Sequence, residues 1–226
     1  MKHKAPILIT GIPRSGATMI AATINLCGAF GGNMTKRGMY TNDRIRDEVV
    51  KPYFICVGAD PDAQKDFPKD YITSVRFDNH IERIISEQGY REGPWMYKDY
   101  RISHQWPLWD MAYPNAKWII VRRRTGDIIE SCMKTAYMKA YDNREGWLQM
   151  VHAYEHRFVE MIEAGLNCKI IWPERMVNGD YTQLFELTDW LGLTWKNDAL
   201  QFIDSLLWKK HKLKGRIYYE NNSSGS

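Results

Sequence analysis

The chain has 226 residues, 44% of them hydrophobic and 26% charged, enough for one α/β domain with a substantial core and too few for two comfortable ones. Lys and Arg number 31 against 27 Asp and Glu, a net charge of +4; so mild a surplus does not require a surface that wraps nucleic acid, and a local positive site for a small polyanion accounts for it. The four cysteines, Cys27, Cys56, Cys132 and Cys168, have no C-x-x-C spacing, which argues against a zinc ribbon or a disulfide framework and reads as reduced packing residues.

At the amino end, Met1-Lys2-His3-Lys4-Ala5-Pro6 is basic, but only Ile7-Leu8-Ile9 follow before Thr10 and Gly11. That is far short of a signal-peptide core or a membrane span, so a cytoplasmic protein without a membrane partner is expected. The apolar run predicts a strand. Behind it, Gly11-Ile12-Pro13-Arg14-Ser15-Gly16-Ala17-Thr18 forms a glycine-bearing turn that opens an apolar helix reaching Leu26, with Gly28 as a C-cap. Strand, tight turn and helix in this order point free backbone N–H groups at an anion. The first amides of a helix lack intrahelical acceptors and sit at the positive end of its dipole. Against the pattern G-x-x-x-x-G-K-[ST], Gly11, Gly16 and Thr18 are in register, but Ala17 stands where the lysine for the terminal phosphates belongs, and the cation has moved to Arg14. A nucleoside-triphosphate hydrolase needs that lysine and a bridging metal. Arg14 instead offers a planar fork of donors to the oxygens of a single 5′-phosphate.

The Pro-Arg-Ser-Gly-x-Thr form of this loop resembles the 5′-phosphosulfate-binding loop of sulfotransferases that use 3′-phosphoadenylyl sulfate (PAPS). The resemblance implies that Gly11, Pro13, Arg14, Ser15, Gly16, Ala17 and Thr18 bind the donor, with Arg14 also acting in catalysis. It further implies an α/β, three-layer P-loop-type fold with a central parallel sheet flanked by helices, in a single sulfotransferase-like domain over residues 1–220 followed by a linker-like tail, 221–226.

Farther along, Gly31-Gly32-Asn33 and Lys36-Arg37-Gly38 form a polar connection, and residues 42–50 suggest a short helix that Pro52 ends. Residues 58–70 have no sustained periodicity and read as a surface excursion of the kind that selects substrates. A helical stripe at Ile81, Ile84 and Ile85 spans 78–88, and Trp95-Met96-Tyr97-Lys98-Asp99 reads as a second core strand. The continuous apolar run Trp118-Ile119-Ile120-Val121 is typical of a buried parallel strand. Asp127 is placed to cap a helix over 128–140, and a longer amphipathic helix covers 144–164. A short strand at 168–172 and a helix at 181–191 complete the pattern. Strands alternating with helices imply right-handed βαβ units, with ligands at the carboxyl ends of the strands.

The second informative stretch is Val121-Arg122-Arg123-Arg124-Thr125-Gly126-Asp127-Ile128-Ile129-Glu130-Ser131. An arginine ending a strand and a serine eight positions later in the next helix resemble the 3′-phosphate site of the same family, which makes Arg123 and Ser131 donor-binding residues. The family's Asp- or Asn-Pro after the arginine is replaced by Arg124-Thr125, and either Arg122 or Arg124 can share the work. The resemblance also places a lysine and a base near the second strand. Lys98 then adds charge at the bridging oxygen, and Asp99 is the base or orients the acceptor, with His80, Asp43, Glu48 and His104 as rival bases.

His152-Ala153-Tyr154-Glu155-His156 fits the zinc-protease pattern H-x-x-E-H, but the polar face of a long amphipathic helix explains it without a metal. Trp95, Trp106 and Trp109 line an acceptor pocket or fill the core. The expected activity is sulfuryl transfer from PAPS as donor co-substrate to a hydroxyl or amine of a small-molecule or glycan acceptor, releasing 3′,5′-ADP, with no metal and no nucleic acid. A P-loop small-molecule kinase and a catalytically idle nucleotide-binding module are the alternatives.

Overall fold

Strand β1 (Ile7–Gly11) is buried at every position, as a strand covered on both faces must be. The computed structural model describes residues 5–34, 39–68 and 74–203 around it. Residues 1–4, the Lys36-Arg37-Gly38 connection, positions 69–70 of the excursion, the domain limit at 220 and the tail 221–226 lie outside the described residues. Parallel neighbours flank β1: β2 (Met96–Lys98) on one side and β3 (Lys117–Val121) on the other, with β4 (Cys168–Ile171) beyond β3. The described strands thus form a parallel sheet of order β2-β1-β3-β4. Gly11 lies opposite Val121 and Val121 opposite Ile171, so β1, β3 and β4 end at a common level, while β2 stops at Lys98, opposite Ile9 and two residues short of it.

Helices cover both faces. On one, α1 (Ala17–Leu26), α8 (Thr182–Leu191) and a 3-10 turn (Asn197–Ile203) bury Ile20, Ile24, Leu184, Leu187 and Ile203 against Ile7, Ile9 and Ile119. Opposite, α4 (Asp78–Glu87), α5 (Trp106–Ala112) and α7 (Arg144–Glu163) pack Ile81, Ile84, Trp109, Trp147 and Tyr154 onto Leu8, Trp118 and Ile120. Alternate residues of β1 and β3 therefore serve opposite cores, and the expected α/β arrangement of a parallel sheet between helical layers is found. Trp95 and Trp109 are fully buried, and Trp106 donates to Glu160 at 3.3 Å, which makes them core and packing residues.

Several local expectations are corrected. Pro52 does not end a helix: α2 (Asp43–Ile45), a π-helical turn (Arg46–Val50) and α3 (Lys51–Cys56) form one run. The Lys51 N–H reaches back five residues to the Arg46 carbonyl. That wider turn makes room for the proline ring, which would clash with the carbonyl four residues back. Helix α6 (Thr125–Met133) stops well before 140, and Asp127 lies in its first turn instead of capping it. There its charge still complements the helix dipole. The excursion after residue 58 is anchored: Ala59, Ala63 and Phe67 are buried, and the Tyr154 hydroxyl donates to the Ala63 carbonyl at 2.8 Å.

His104 packs in an aromatic box, stacked on Phe67 with ring centroids 5.3 Å apart and edge-on to Tyr154 at 4.4 Å. Neither ring nitrogen has a hydrogen-bond partner among the described residues. Burial, aided by the like charge of Arg157, pushes the imidazole down to about 3. The unfolded chain takes up this proton near 6.5 and the folded chain only near 3, so between those values the unfolded state binds more protons and stability falls as pH falls. From pH 7 to pH 5 this single group is expected to cost about 2 kcal/mol. His104→Phe should remove that share of the decline, read as a smaller drop in Tm between the two pH values than the parent shows.

Candidate active site

The loop between β1 and α1 turns under two constraints. A Cβ on Gly11 would lie 2.6 Å from both Ser15 Oγ and the Val121 carbonyl oxygen, so only glycine lets the loop leave the sheet this close to β3. Gly16 adopts φ 98° at the N-cap of α1, in the left-handed region that side chains avoid. No side chain caps α1 and its first turn carries no acid. Its leading amides, with those of Ala17 and Thr18 among them, therefore face the carboxyl edge of the sheet at the positive end of the dipole. Ser15 is buried, and its hydroxyl has no hydrogen-bond partner among the described residues. An orphaned hydroxyl beside unclaimed helix amides suits the oxygens of an anion.

Arg14 is exposed and has φ 74°, an uncommon conformation for a residue with a side chain. Three contacts hold it there. Arg123 Nη1 donates to the Arg14 carbonyl oxygen at 3.1 Å, Arg14 Nε donates to Ser131 Oγ at 2.9 Å, and Arg14 Nη1 donates to the Tyr137 hydroxyl at 3.1 Å. Residues more than a hundred positions apart, which the sequence had assigned to two separate phosphate stations, meet in one cluster. Burial pulls the Arg123 guanidinium below its usual range, as expected of a cation stripped of water, and such a charge attracts an anion more strongly than a solvated one.

The two neighbouring arginines point elsewhere. Arg122 donates to Glu155 at 2.6 Å and lies over the Trp172 ring, while Arg124 pairs with Glu174 and Asp127 across 3.3 and 3.4 Å. Only Arg123 turns to the loop. The same contacts account for the H-x-x-E-H stretch, since Glu155 holds Arg122 and His156 pairs with Glu160 at 3.2 Å. No group of three or more His, Cys, Asp or Glu side chains converges among the described residues.

At the end of β2, successive side chains diverge as strand geometry requires. Buried Lys98 donates to the Met39 carbonyl at 2.8 Å and to Thr41 Oγ1 at 3.2 Å, and burial lowers it to about 8. Asp99 is also buried, but its partners are Arg101 and Tyr97. Its carboxylate takes both contacts of Arg101 Nη1 at 3.0 and 3.2 Å, accepts the Tyr97 hydroxyl at 3.1 Å and caps the 3-10 turn Tyr100–Ser103 through the Arg101 N–H. Its acceptor capacity is spent inside the protein. Among the rival bases, His80 and Glu48 pair at 3.1 Å on the surface, and Arg44 and His80 hold Glu48 down to about 2. His104 is sealed in its aromatic box.

Residues that sequence reasoning passed over hold the neighbouring loops in place. Arg101 Nε donates to the Pro61 carbonyl at 2.7 Å. Gln64 Nε2 donates to the Tyr137 carbonyl at 2.9 Å, and Gln64 Oε1 accepts from the Lys139 and Ala140 amides at 2.8 and 3.1 Å. Gln64 lies in a stretch without periodicity and Tyr137 in one that reads as the end of a helix, and in neither does a local signal mark a long-range partner.

No protein-family model and no curated protein matches the chain. Solved structures do match by fold, sulfotransferase domains among them. The sulfotransferase domain from the Synechococcus PCC 7002 olefin synthase superimposes over 95% of this chain and 90% of its own, with a TM-score of 0.61 at 14% identity. The sulfotransferase domain from the curacin biosynthetic pathway covers 90% of this chain and 79% of its own, with a TM-score of 0.60 at 15% identity. The chain thus has the fold of these domains.

The close approach at Gly11 yields a direct expectation. Gly11→Ala must push either Ser15 or the β3 carbonyl aside, an overpacking cost of about 1–3 kcal/mol. Denaturant melts should show that loss, and Gly28→Ala, where a Cβ meets nothing within 4 Å, should lack the steric part of it and retain only the penalty for φ 111°.

Proposed function

We propose that this chain is a sulfotransferase that moves a sulfuryl group from PAPS to a hydroxyl or amine of a small-molecule or glycan acceptor and releases 3′,5′-ADP. The observation that carries the reading is the Arg14, Arg123 and Ser131 cluster beside the orphaned Ser15 hydroxyl at the amino end of α1. One anion at the helix end and a second at Arg123 and Ser131 suit a ligand with a 5′-phosphate and a separate 3′-phosphate, and ATP carries no phosphate on its ribose 3′-oxygen. The fold shared with sulfotransferase domains supports the same reading.

In this mechanism the acceptor atom attacks sulfur in line while the bond from sulfur to the 5′-phosphate oxygen breaks, negative charge gathers on the leaving phosphate, and the acceptor's proton is released to water. Arg14, Ser15 and the amides of Gly16, Ala17 and Thr18 stabilise that charge, with Gly11 and Pro13 shaping the turn. Lys98 supplies a second cation from the neighbouring strand end. Asp99, bound to Arg101 and Tyr97, orients that strand end. The full engagement of Asp99 is the observation that favours a second reading, an idle nucleotide-binding module without a base. Transfer of labelled sulfate to candidate acceptors separates the two.

The donor reading is tested by thermal shift with 3′,5′-ADP, ADP and AMP in the absence of magnesium. Selective stabilisation by 3′,5′-ADP is expected, reaching about 2.7 kcal/mol at a hundred times its Kd. A preference for ADP or ATP that depends on magnesium would give the site to a kinase. The depressed Lys98 adds a pH signature. Its cation is present below about 8 and lost above it, so kcat/KM should fall as pH rises through that value, and Lys98→Met should both slow transfer and abolish this limb.

A further inference from the structure

The stretch 61–64 crosses between the two halves of the candidate site, and every residue in it is tied down. On the β2 side, Arg101 donates to the Pro61 carbonyl at 2.7 Å and pairs with Asp62 at 3.2 Å, while Lys51 reaches Asp62 at 3.2 Å. In the middle, the Tyr154 hydroxyl holds the Ala63 carbonyl, and Ala63 itself sits at φ 49°. On the far side stands Gln64, 4% exposed, whose amide uses its donor on the Tyr137 carbonyl and its acceptor on the Lys139 and Ala140 N–H groups. Asp60 in turn accepts from the Gln64 N–H at 2.9 Å. The segment after α6, whose Met138 packs into the core, is thus also held at three backbone groups by one buried side chain that belongs to a different part of the sequence. That segment carries Tyr137, whose hydroxyl accepts the Arg14 guanidinium at 3.1 Å.

We propose that Gln64 is a positioning residue for donor binding: it fixes the 137–140 segment so that Tyr137 holds Arg14 against Ser131 before the donor arrives. This rests on the reading of Arg14, Arg123 and Ser131 as the donor site. An exposed arginine in water samples many rotamers, and ordering it on binding opposes affinity. Held beforehand by Ser131 and Tyr137, the guanidinium has already lost that freedom. Gln64 suits the task because a single amide satisfies a carbonyl and two N–H groups together. Leucine, of similar size, satisfies none of them, and glutamate keeps the acceptor but loses the donor.

The experiment measures the Kd of 3′,5′-ADP by calorimetric titration for the parent protein, Gln64→Leu, Gln64→Glu, Tyr137→Phe and the Gln64→Leu/Tyr137→Phe pair. The parent is titrated first. If it does not bind, the donor-site reading falls and the role of Gln64 falls with it. If it binds, Gln64→Leu and Tyr137→Phe should each weaken binding about fivefold, the worth of one immobilised long side chain. The double variant should be no weaker than the weaker single variant, because both changes break the same chain of contacts. Losses that multiply, or an unchanged Kd in folded Gln64→Leu, would overturn the proposal while leaving the donor site standing. Should Gln64→Leu not fold, the same cycle with Gln64→Glu decides the matter, since glutamate keeps the acceptor for the Lys139 and Ala140 N–H groups and turns a carboxylate oxygen on the Tyr137 carbonyl.

Discussion

Everything at the candidate site depends on the parallel register that sets Gly11 beside Val121. Because the two strands end level, the turn leaving β1 and the arginine just past β3 emerge within reach of one another, and Arg123 can donate to the backbone of Arg14. The approach is so close that the position tolerates no Cβ. Interstrand hydrogen bonds thus do more than build a sheet here. They bring two cations and two serines from distant sequence to the mouth of one helix.

The charge distribution around this point is selective. Three consecutive arginines leave β3, yet the flanking two are neutralised by Glu155 and by Glu174 with Asp127, and only the middle one turns to the loop. Alternation along an extended backbone produces that division with no special device. The same alternation separates Lys98 from Asp99, sending the lysine toward Met39 and Thr41 and the carboxylate toward Arg101. Burial then acts on the lysine, leaving a cation whose charge is sensitive near neutral pH.

Much of this was legible in the sequence wherever the signal was local. The strand, the glycine turn and the helix at 17–26 follow from period and composition, as do the buried strand before Arg123 and the spacing to Ser131. What local pattern could not carry was partnership. For Asp99 the sequence showed Lys98 beside it but not the pairing with Arg101, which lies two residues on and folds back only when the 3-10 turn forms. Gln64 sat in an aperiodic stretch that read as surface, although burial and three hydrogen bonds of its amide tie it to residues over seventy positions away. Pro52 read as a stop because the rule assumes a regular ladder, and a single π turn suspends that assumption.

The left-handed backbone of Arg14 sets stability against the donor binding proposed for its guanidinium. Glycine at this position would rest easily at φ 74°, whereas a residue with a Cβ gives up about 1–2 kcal/mol to stand there. Screens that select only for thermal resistance would therefore favour glycine at position 14 and, in doing so, remove the guanidinium from the mouth of the helix. Consensus or stability-guided engineering of this scaffold must hold position 14 fixed, since the sequence that folds best is not the one that retains the cation.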